Sequence, residues 1–326
     1  MSTVTDLAAL PPFYVPVAHI LPDPFVRLEV EGLAPRWYGW AEFSWCQLAC
    51  FLGDNVTRYY WEGGIDTFEI ALMRALLQPG MTVLDIGGHI GYFSLLFSKA
   101  VGESGLVFTW EPDPLNYHLL GLNLDRNGAN NVMTWCQALG SGEGVETLVS
   151  QAPNTGDNRL WTSDGPMHTR AHKGTRQVPV QALDEVLNPA QVVDFIKIDT
   201  QGWEPRILAG MRKTLARHDK LTLFIEYWPA GLVDSGATLQ EFVEGLEGFL
   251  LLGIGDEGTL TFLGTPADLL EIGEAERYPN LLGIKGPITS TLAKLRPAIA
   301  NWQRRHHPQL PVPTFGNRLG KLKIGG

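Results

Sequence analysis

Val83-Leu84-Asp85-Ile86-Gly87-Gly88-His89-Ile90-Gly91, followed about twenty residues later by Phe108-Thr109-Trp110-Glu111-Pro112, decides the fold. An apolar strand runs into a glycine turn, a helix opens at Gly91, and a second apolar strand ends on a carboxylate. This order sets Glu111 beside the turn at the carboxyl edge of a parallel sheet, where it can accept two hydrogen bonds from a ribose diol. The competing reading is an ordinary strand-turn-helix that uses glycine for close packing.

The spacing also selects among nucleotide cofactors. Dinucleotide folds want a small residue at the second position of G-x-G-x-x-G so that the backbone can approach pyrophosphate. His89 stands there, and Asp85 would repel the same anion. A cofactor without phosphate escapes both objections. S-adenosylmethionine has matching parts: a ribose diol for Glu111 and an ammonium for the Asp85 end, reached directly or through water.

Around this stretch the chain alternates. A helix beginning near Asp66-Thr67-Phe68-Glu69, which has the form of a capping box, leads into the first strand, 81–86. A helix from Gly91 to Ala100, strand 105–111, a helix from Asp113-Pro114 to Asn127-Gly128 and strand 132–139 follow. Strand-helix alternation predicts parallel pairing with right-handed crossovers. Strands near 177–182, 192–199 and 221–226 continue the pattern, and a helix near 238–250 and strands near 250–254, 259–263 and 280–285 complete the sheet, with Asp256-Glu257-Gly258 as a hairpin turn. Val192 to Asp199 is almost wholly apolar, as expected of a strand covered on both faces, and it ends on an acid. Glu111, Asp199 and Glu226 thus arrive at one sheet edge. Segment 141–176 breaks the rhythm with Asn154-Thr155-Gly156-Asp157-Asn158-Arg159 and reads as a substrate-side loop. Residues 1–60, rich in proline and aromatics, read as a cap, 61–286 as the main domain, and 287–326 as a basic tail.

Composition bounds the rest. A chain of 326 residues, 44% of them hydrophobic, can bury one large core. The formal charge of -10 disfavours nucleic acid as a ligand, because phosphate binding rests on basic surface. No apolar run approaches the roughly 18 residues of a membrane span and no secretion signal is evident, so the expected location is cytoplasmic. Three cysteines suit a reducing compartment; Cys46 and Cys50, at helical spacing but without a second pair, fall short of a metal site. From Lys285 onward there are eight basic residues and no acidic one. This tail reads either as a loosely ordered extension leaning on the acidic body or as an arm for an acidic partner or an anionic membrane surface.

These residues resemble the FkbM-type S-adenosylmethionine-dependent methyltransferases over about 57–286. The resemblance rests on Asp66 to Glu69, Val83 to Gly91, Glu111-Pro112-Asp113-Pro114, Asn127 with Asn131-Val132, and Ala138-Leu139-Gly140. Its most specific part is Ile196-Lys197-Ile198-Asp199-Thr200-Gln201-Gly202-Trp203-Glu204 with the later Ile225-Glu226. It implies an α/β, doubly wound, mostly parallel seven-stranded sheet of the class I (Rossmann-like) type, and O-methylation of a hydroxyl on a small metabolite, sugar or glycan. Two positions depart from the pattern: the family commonly has Asn at His89 and an acid at Gln201.

Gly87 and Gly91 let backbone approach the cofactor, Glu111 binds the ribose, and Ala138 and Leu139 form an adenine slot or plain core. Asp85 and His89 lie at the amino-acid end, and Glu69 is either a cofactor contact or a helix cap. Asp199 and Glu226 are expected nearest the transferred methyl; Asp199 could instead cap the next helix. The two acids also have the form of a pair for Mg²⁺, although further oxygen ligands are not identifiable, so no metal is assigned. Asn154 and Asp157 are acceptor contacts or turn-shaping residues, His168 is a base on a closing loop or a solvated loop histidine, and Tyr92 is a cation–π partner for a sulfonium or helix packing. A nicotinamide-dependent oxidoreductase and a catalytically silent cofactor-binding protein are the alternatives.

Overall fold

The structure is a computed structural model and describes residues 26–61, 67–151, 153–161, 174–255, 258–272 and 279–307. Within the segment read as a cap, the described residues form a three-stranded antiparallel sheet, β1 (Val26–Leu28), β2 (Arg36–Glu42) and β3 (Gln47–Phe51), followed by helix α1 (Asn55–Trp61). Cys50 therefore lies in a strand, not on a helix with Cys46. Helix α2 (Phe68–Leu76) is capped by Thr67, whose side chain accepts from the Ile70 amide. The box is shifted by one residue, so Glu69 falls one position short of the capping role; Asp66 lies outside the described residues.

The alternation then runs as expected: β4 (Thr82–Ile86), α3 (Tyr92–Val101), β5 (Leu106–Trp110), α4 (Pro114–Arg126) and β6 (Val132–Trp135). The strand expected at 132–139 is broken at Cys136. Beyond it, β7 (Ala138–Leu139), β8 (Gly144–Ser150), β9 (Arg159–Trp161) and β10 (Gly174–Gln181) form a separate four-stranded sheet in the order β7-β10-β8-β9. Much of the segment read as a loop is thus strand. Its polar residues alternate with Leu148, Leu160, Val178 and Val180, which are buried.

Helix α5 (Leu183–Val186), β11 (Phe195–Ile198), α6 (Glu204–Gly210), α7 (Arg212–Arg217), β12 (Leu221–Glu226), α8 (Pro229–Asp234), α9 (Leu239–Gly245), β13 (Leu250–Gly255), β14 (Thr259–Gly264), α10 (Asp268–Ile272), β15 (Asn280–Lys285) and α11 (Ile288–His306) complete the chain. The large sheet has the order β14-β13-β15-β12-β11-β4-β5-β6. Its five strands from β12 to β6 are parallel, and β15 is antiparallel to both neighbours. It holds eight strands instead of the expected seven, because the β13–β14 hairpin adds an edge strand.

Both faces of the sheet are covered. Val83 and Phe195 point into a core shared with α2, α3, α4 and α11, while Leu84, Ile86, Ile196 and Ile198 point into one shared with α6, α9 and the second sheet. Every residue of β4 and β11 is buried, which accounts for their near-continuous apolar sequence. The start of the basic tail is not a loose extension: α11 buries Leu292, Leu295, Ile299 and Trp302, and Trp302 lies 5.1 Å from the Phe68 ring. Residues 308–326 fall outside the described residues.

Asn123 of α4 ties the cap to the glycine turn. Its Oδ1 accepts from the Ala49 amide at 2.6 Å, and its Nδ2 donates to the carbonyls of Ile90 at 2.7 Å and Ala49 at 3.2 Å. The residue is fully buried, so no water can replace these partners. Asn123→Ala is expected to lower unfolding free energy by about 2–4 kcal/mol in urea denaturation, since several buried backbone groups lose a partner at once.

Candidate functional site

The carboxyl ends of β4, β5 and β11 meet around a cavity of about 300 Å³. The glycine turn forms one wall. Gly87 adopts φ +86°, and a Cβ there would lie 2.1 Å from the Asp199 carbonyl oxygen, so only glycine lets the ends of β4 and β11 come this close. Gly91, at φ +88°, opens α3 and packs against Leu120; it does not line the cavity. His89 also has positive φ, 50°, an uncommon conformation for a non-glycine residue, and it aims the His89 amide at Glu111.

Glu111 is 6% exposed and lines the cavity. Its Oε2 accepts from the His89 amide at 2.8 Å, and its Oε1 from the Asp113 amide at 2.9 Å and Asn116 Nδ2 at 3.4 Å. Burial, with the nearby Asp113 charge, pushes its pKa up to about 7, although these donors act the other way. A carboxylate has about four acceptor positions, so one remains open on Oε2, and the 3.4 Å contact from Asn116 is the one on Oε1 that a ligand's second hydroxyl can replace. His89 is held neutral by burial, which brings its pKa down to about 4.

Asp85 does not line the cavity. It is fully buried behind the wall, where Oδ2 accepts from Ser94 Oγ at 2.6 Å and Oδ1 lies 3.7 Å from Lys197 Nζ. Burial raises its pKa, opposed by the Lys197 charge. Lys197, which sequence reasoning missed as a site residue, does line the cavity. Its ammonium is 3.4 Å from Asp199 Oδ2 and 4.9 Å from the centre of the Phe93 ring. Burial alone would lower its pKa, but Asp199 and Asp85 outweigh that and raise it. The signal in the sequence is a lysine inside an otherwise apolar run, and in the structure it stands opposite Asp85 in the parallel pair of β4 and β11.

Asp199 lines the cavity with its side chain 37% exposed. Glu226 lies behind it, and Gln201 bridges the two, its Nε2 donating to Asp199 Oδ1 at 3.1 Å and Glu226 Oε1 at 2.8 Å. The Gln201 amide N–H also donates to Glu226 Oε2 at 2.8 Å, from a left-handed backbone at φ 58°. Glu226 is raised well above its usual pKa by burial, then by Asp199 and Glu204. The amide nitrogen thus stands between the two acids considered as a Mg²⁺ pair, and among the described residues no group of three or more His, Cys, Asp or Glu is placed to hold a metal ion. The cap of α6 is not Asp199: Glu204 Oε1 instead accepts from the Thr200 amide and hydroxyl.

Ala138 and Leu139 are buried and line the cavity with Leu148, Leu160 and Trp110. Three buried polar atoms of lining residues, Trp110 Nε1, Asn116 Oδ1 and Asn154 Oδ1, have no hydrogen-bond partner among the described residues. Asn154 and Asp157 line the roof. Glu69 is not a lining residue, and His168 lies outside the described residues. From the cap, Val56 and Tyr60 reach the same cavity, with Tyr60 stacked on Tyr92 at 5.1 Å. Sequence reasoning missed both, because nothing in the aromatic-rich cap marked one ring above another. No helix among the described residues is long and apolar enough to cross a membrane.

Lys197→Met is expected to cost about 3–5 kcal/mol at neutral pH, because it strands Asp85 as a buried charge. Asp85's folded pKa is already raised, so its neutral form suits the fold. The loss should therefore be smallest in acid, where Asp85 is protonated folded or unfolded, and grow as pH rises through the folded value. Urea denaturation across pH checks this.

Residues 85–235 match the family described as the methyltransferase FkbM domain, so the resemblance read from the sequence holds over that stretch. The chain is 40% identical over 65 residues to a protein-L-isoaspartate O-methyltransferase of Methanococcoides burtonii, and 40% identical over 60 residues to one of Thermotoga maritima. Those segments are 19% and 18% of this chain, and the chain spans only 32% and 19% of the two relatives' lengths. Among solved structures, a methyltransferase FkbM from Methylobacillus flagellatus aligns with 65% of this chain and 47% of its own, at 17% identity and a TM-score of 0.39. A putative methyltransferase from Streptococcus mutans in complex with SAH aligns with 67% of this chain and 94% of its own, at 12% identity and a TM-score of 0.39.

Proposed function

We propose that this chain, whose residues 85–235 match the FkbM methyltransferase domain, is an S-adenosylmethionine-dependent methyltransferase acting on a hydroxyl of a small metabolite, sugar or glycan. The observation that carries the reading is Glu111: a buried carboxylate fixed by two backbone amides, with acceptor capacity to spare, at the carboxyl edge beside a glycine turn. The site residues suit the cofactor. Glu111 would accept the ribose diol, Ala138, Leu139 and Leu160 would enclose the base, and Asn116 Oδ1 is a free acceptor for a donor on it.

When bound, S-adenosylmethionine supplies an activated methyl group, so the protein's task is alignment and removal of one proton. Asp199 suits the second role. Lys197 and Gln201 fix its carboxylate while leaving it partly open to the cavity, where it could accept the proton of an acceptor hydroxyl. Glu226 acts at one remove, by orienting Gln201. Asp85 likewise acts through Lys197.

Calorimetric titration with S-adenosylhomocysteine tests the assignment. Micromolar binding to the wild type, absence of NAD binding and a large loss in Glu111→Ala are expected. Since the ligand's hydroxyls donate to the ionised carboxylate and the free pKa is about 7, affinity should fall about tenfold between pH 6 and pH 5. Glu111→Gln should flatten that dependence. Failure of the wild type to bind, or unchanged affinity in Glu111→Ala, would contradict the assignment.

A further inference from the structure

The segment Asn154–Leu160 covers the cavity from above, and its polar residues are tied to the two groups that hold Glu111. Thr155 Oγ1 lies 2.9 Å from His89 Nε2, and the His89 amide donates to Glu111 Oε2. Asn158 Nδ2 donates at 3.0 Å to Asp113 Oδ2, and the Asp113 amide donates to Glu111 Oε1. Each carboxylate oxygen is thus connected to the roof through one intermediate residue. Sequence reasoning named Asn154 and Asp157 as acceptor contacts; the residues that meet the Glu111 supports are their neighbours.

The cap fastens the same roof from outside. Asp54, 1% exposed, accepts from the amides of Val56 and Thr57 at the start of α1 and from the Thr155 amide at 2.9 Å, and it pairs with Arg36 at 3.4 Å. The Asn55 amide donates to the Pro153 carbonyl at 2.7 Å. The seat is close: a Cβ on Gly156 would lie 2.8 Å from Val56 Cγ2. Arg159, 9% exposed, anchors the far end between Asp157 at 3.0 Å and Asp234 at 3.8 Å.

We propose that Thr155 and Asn158 are positioning residues for the cofactor, forming a two-point latch that holds the roof over the ribose by fixing His89 and Asp113, and hence Glu111. The inference rests on the cofactor reading given above. Its consequence is kinetic: the ligand leaves only after both latch points open, so the latch governs departure more than arrival. The cap, which lies outside residues 85–235, becomes part of the cofactor site through Asp54.

Stopped-flow measurement of S-adenosylhomocysteine binding tests this in the full chain, with thermal melts to verify folding. Thr155→Val and Asn158→Ala should each speed dissociation about tenfold, the equivalent of losing one net hydrogen bond to a polar partner, with association changed less than about threefold. Thr155→Ser should restore the wild-type rate. In a Glu111→Gln background the latch substitutions should have little further effect, because they act through that carboxylate. Dissociation unchanged in both single variants overturns the proposal, as does an effect of Thr155→Val that is undiminished in Glu111→Gln, which would mark a purely structural roof. A wild type that binds no S-adenosylhomocysteine overturns it together with the cofactor reading, and that outcome is distinct from binding that ignores the latch.

Discussion

A carboxylate that is 6% exposed needs donors around it, and the arrangement about Glu111 organises this site. The His89 amide reaches Oε2 only because the turn runs through three positive-φ residues, Gly87, His89 and Gly91. The Asp113 amide reaches Oε1 because Asp113 is the N-cap of α4, its own side chain accepting from Leu115 and Asn116. The turn between β4 and α3 and the start of α4 are thus positioned against one side chain. Burial holds its pKa near 7, so the group can become a full carboxylate when a ligand's hydroxyls join the two amides.

The opposite end of the cavity obeys the same rule with the other sign. Lys197 is 2% exposed in the middle of a sheet covered on both faces, and its charge is tolerated because Asp85 and Asp199 flank it. Asp85 is neutralised out of reach of the cavity, whereas Asp199 remains partly open to it. Gln201 then links Asp199 to Glu226, so an amide fills the space between the two acids. An ionised acid at position 201 could not donate in that way.

The sheet was legible because burial on two faces leaves an unmistakable mark: β4 and β11 are apolar runs ending on polar edges, and strand-helix alternation fixes parallel pairing. The hairpin ending in β14 was legible as part of the sheet, and only the count of seven implied by the resemblance falls one short of the eight strands present. The second sheet was hidden by short strands with one wet face, of which β10 shows only Val178 and Val180 buried. At the site, the turn and Glu111 stood out because their residue types are costly elsewhere. Thr155, Asn158 and Tyr60 did not, since their roles depend on contacts among the cap, the roof and the turn, which no local pattern encodes.

Glu111 is the group proposed to bind the cofactor's ribose. A crystal structure of the protein with S-adenosylhomocysteine is the most direct test. It should place both ribose hydroxyls within hydrogen-bond distance of Glu111, beneath Thr155 and Asn158, with the sulfur directed toward Asp199. A ribose bound away from Glu111, or a carboxylate still facing only the amides of His89 and Asp113 while the ligand sits elsewhere, would contradict it.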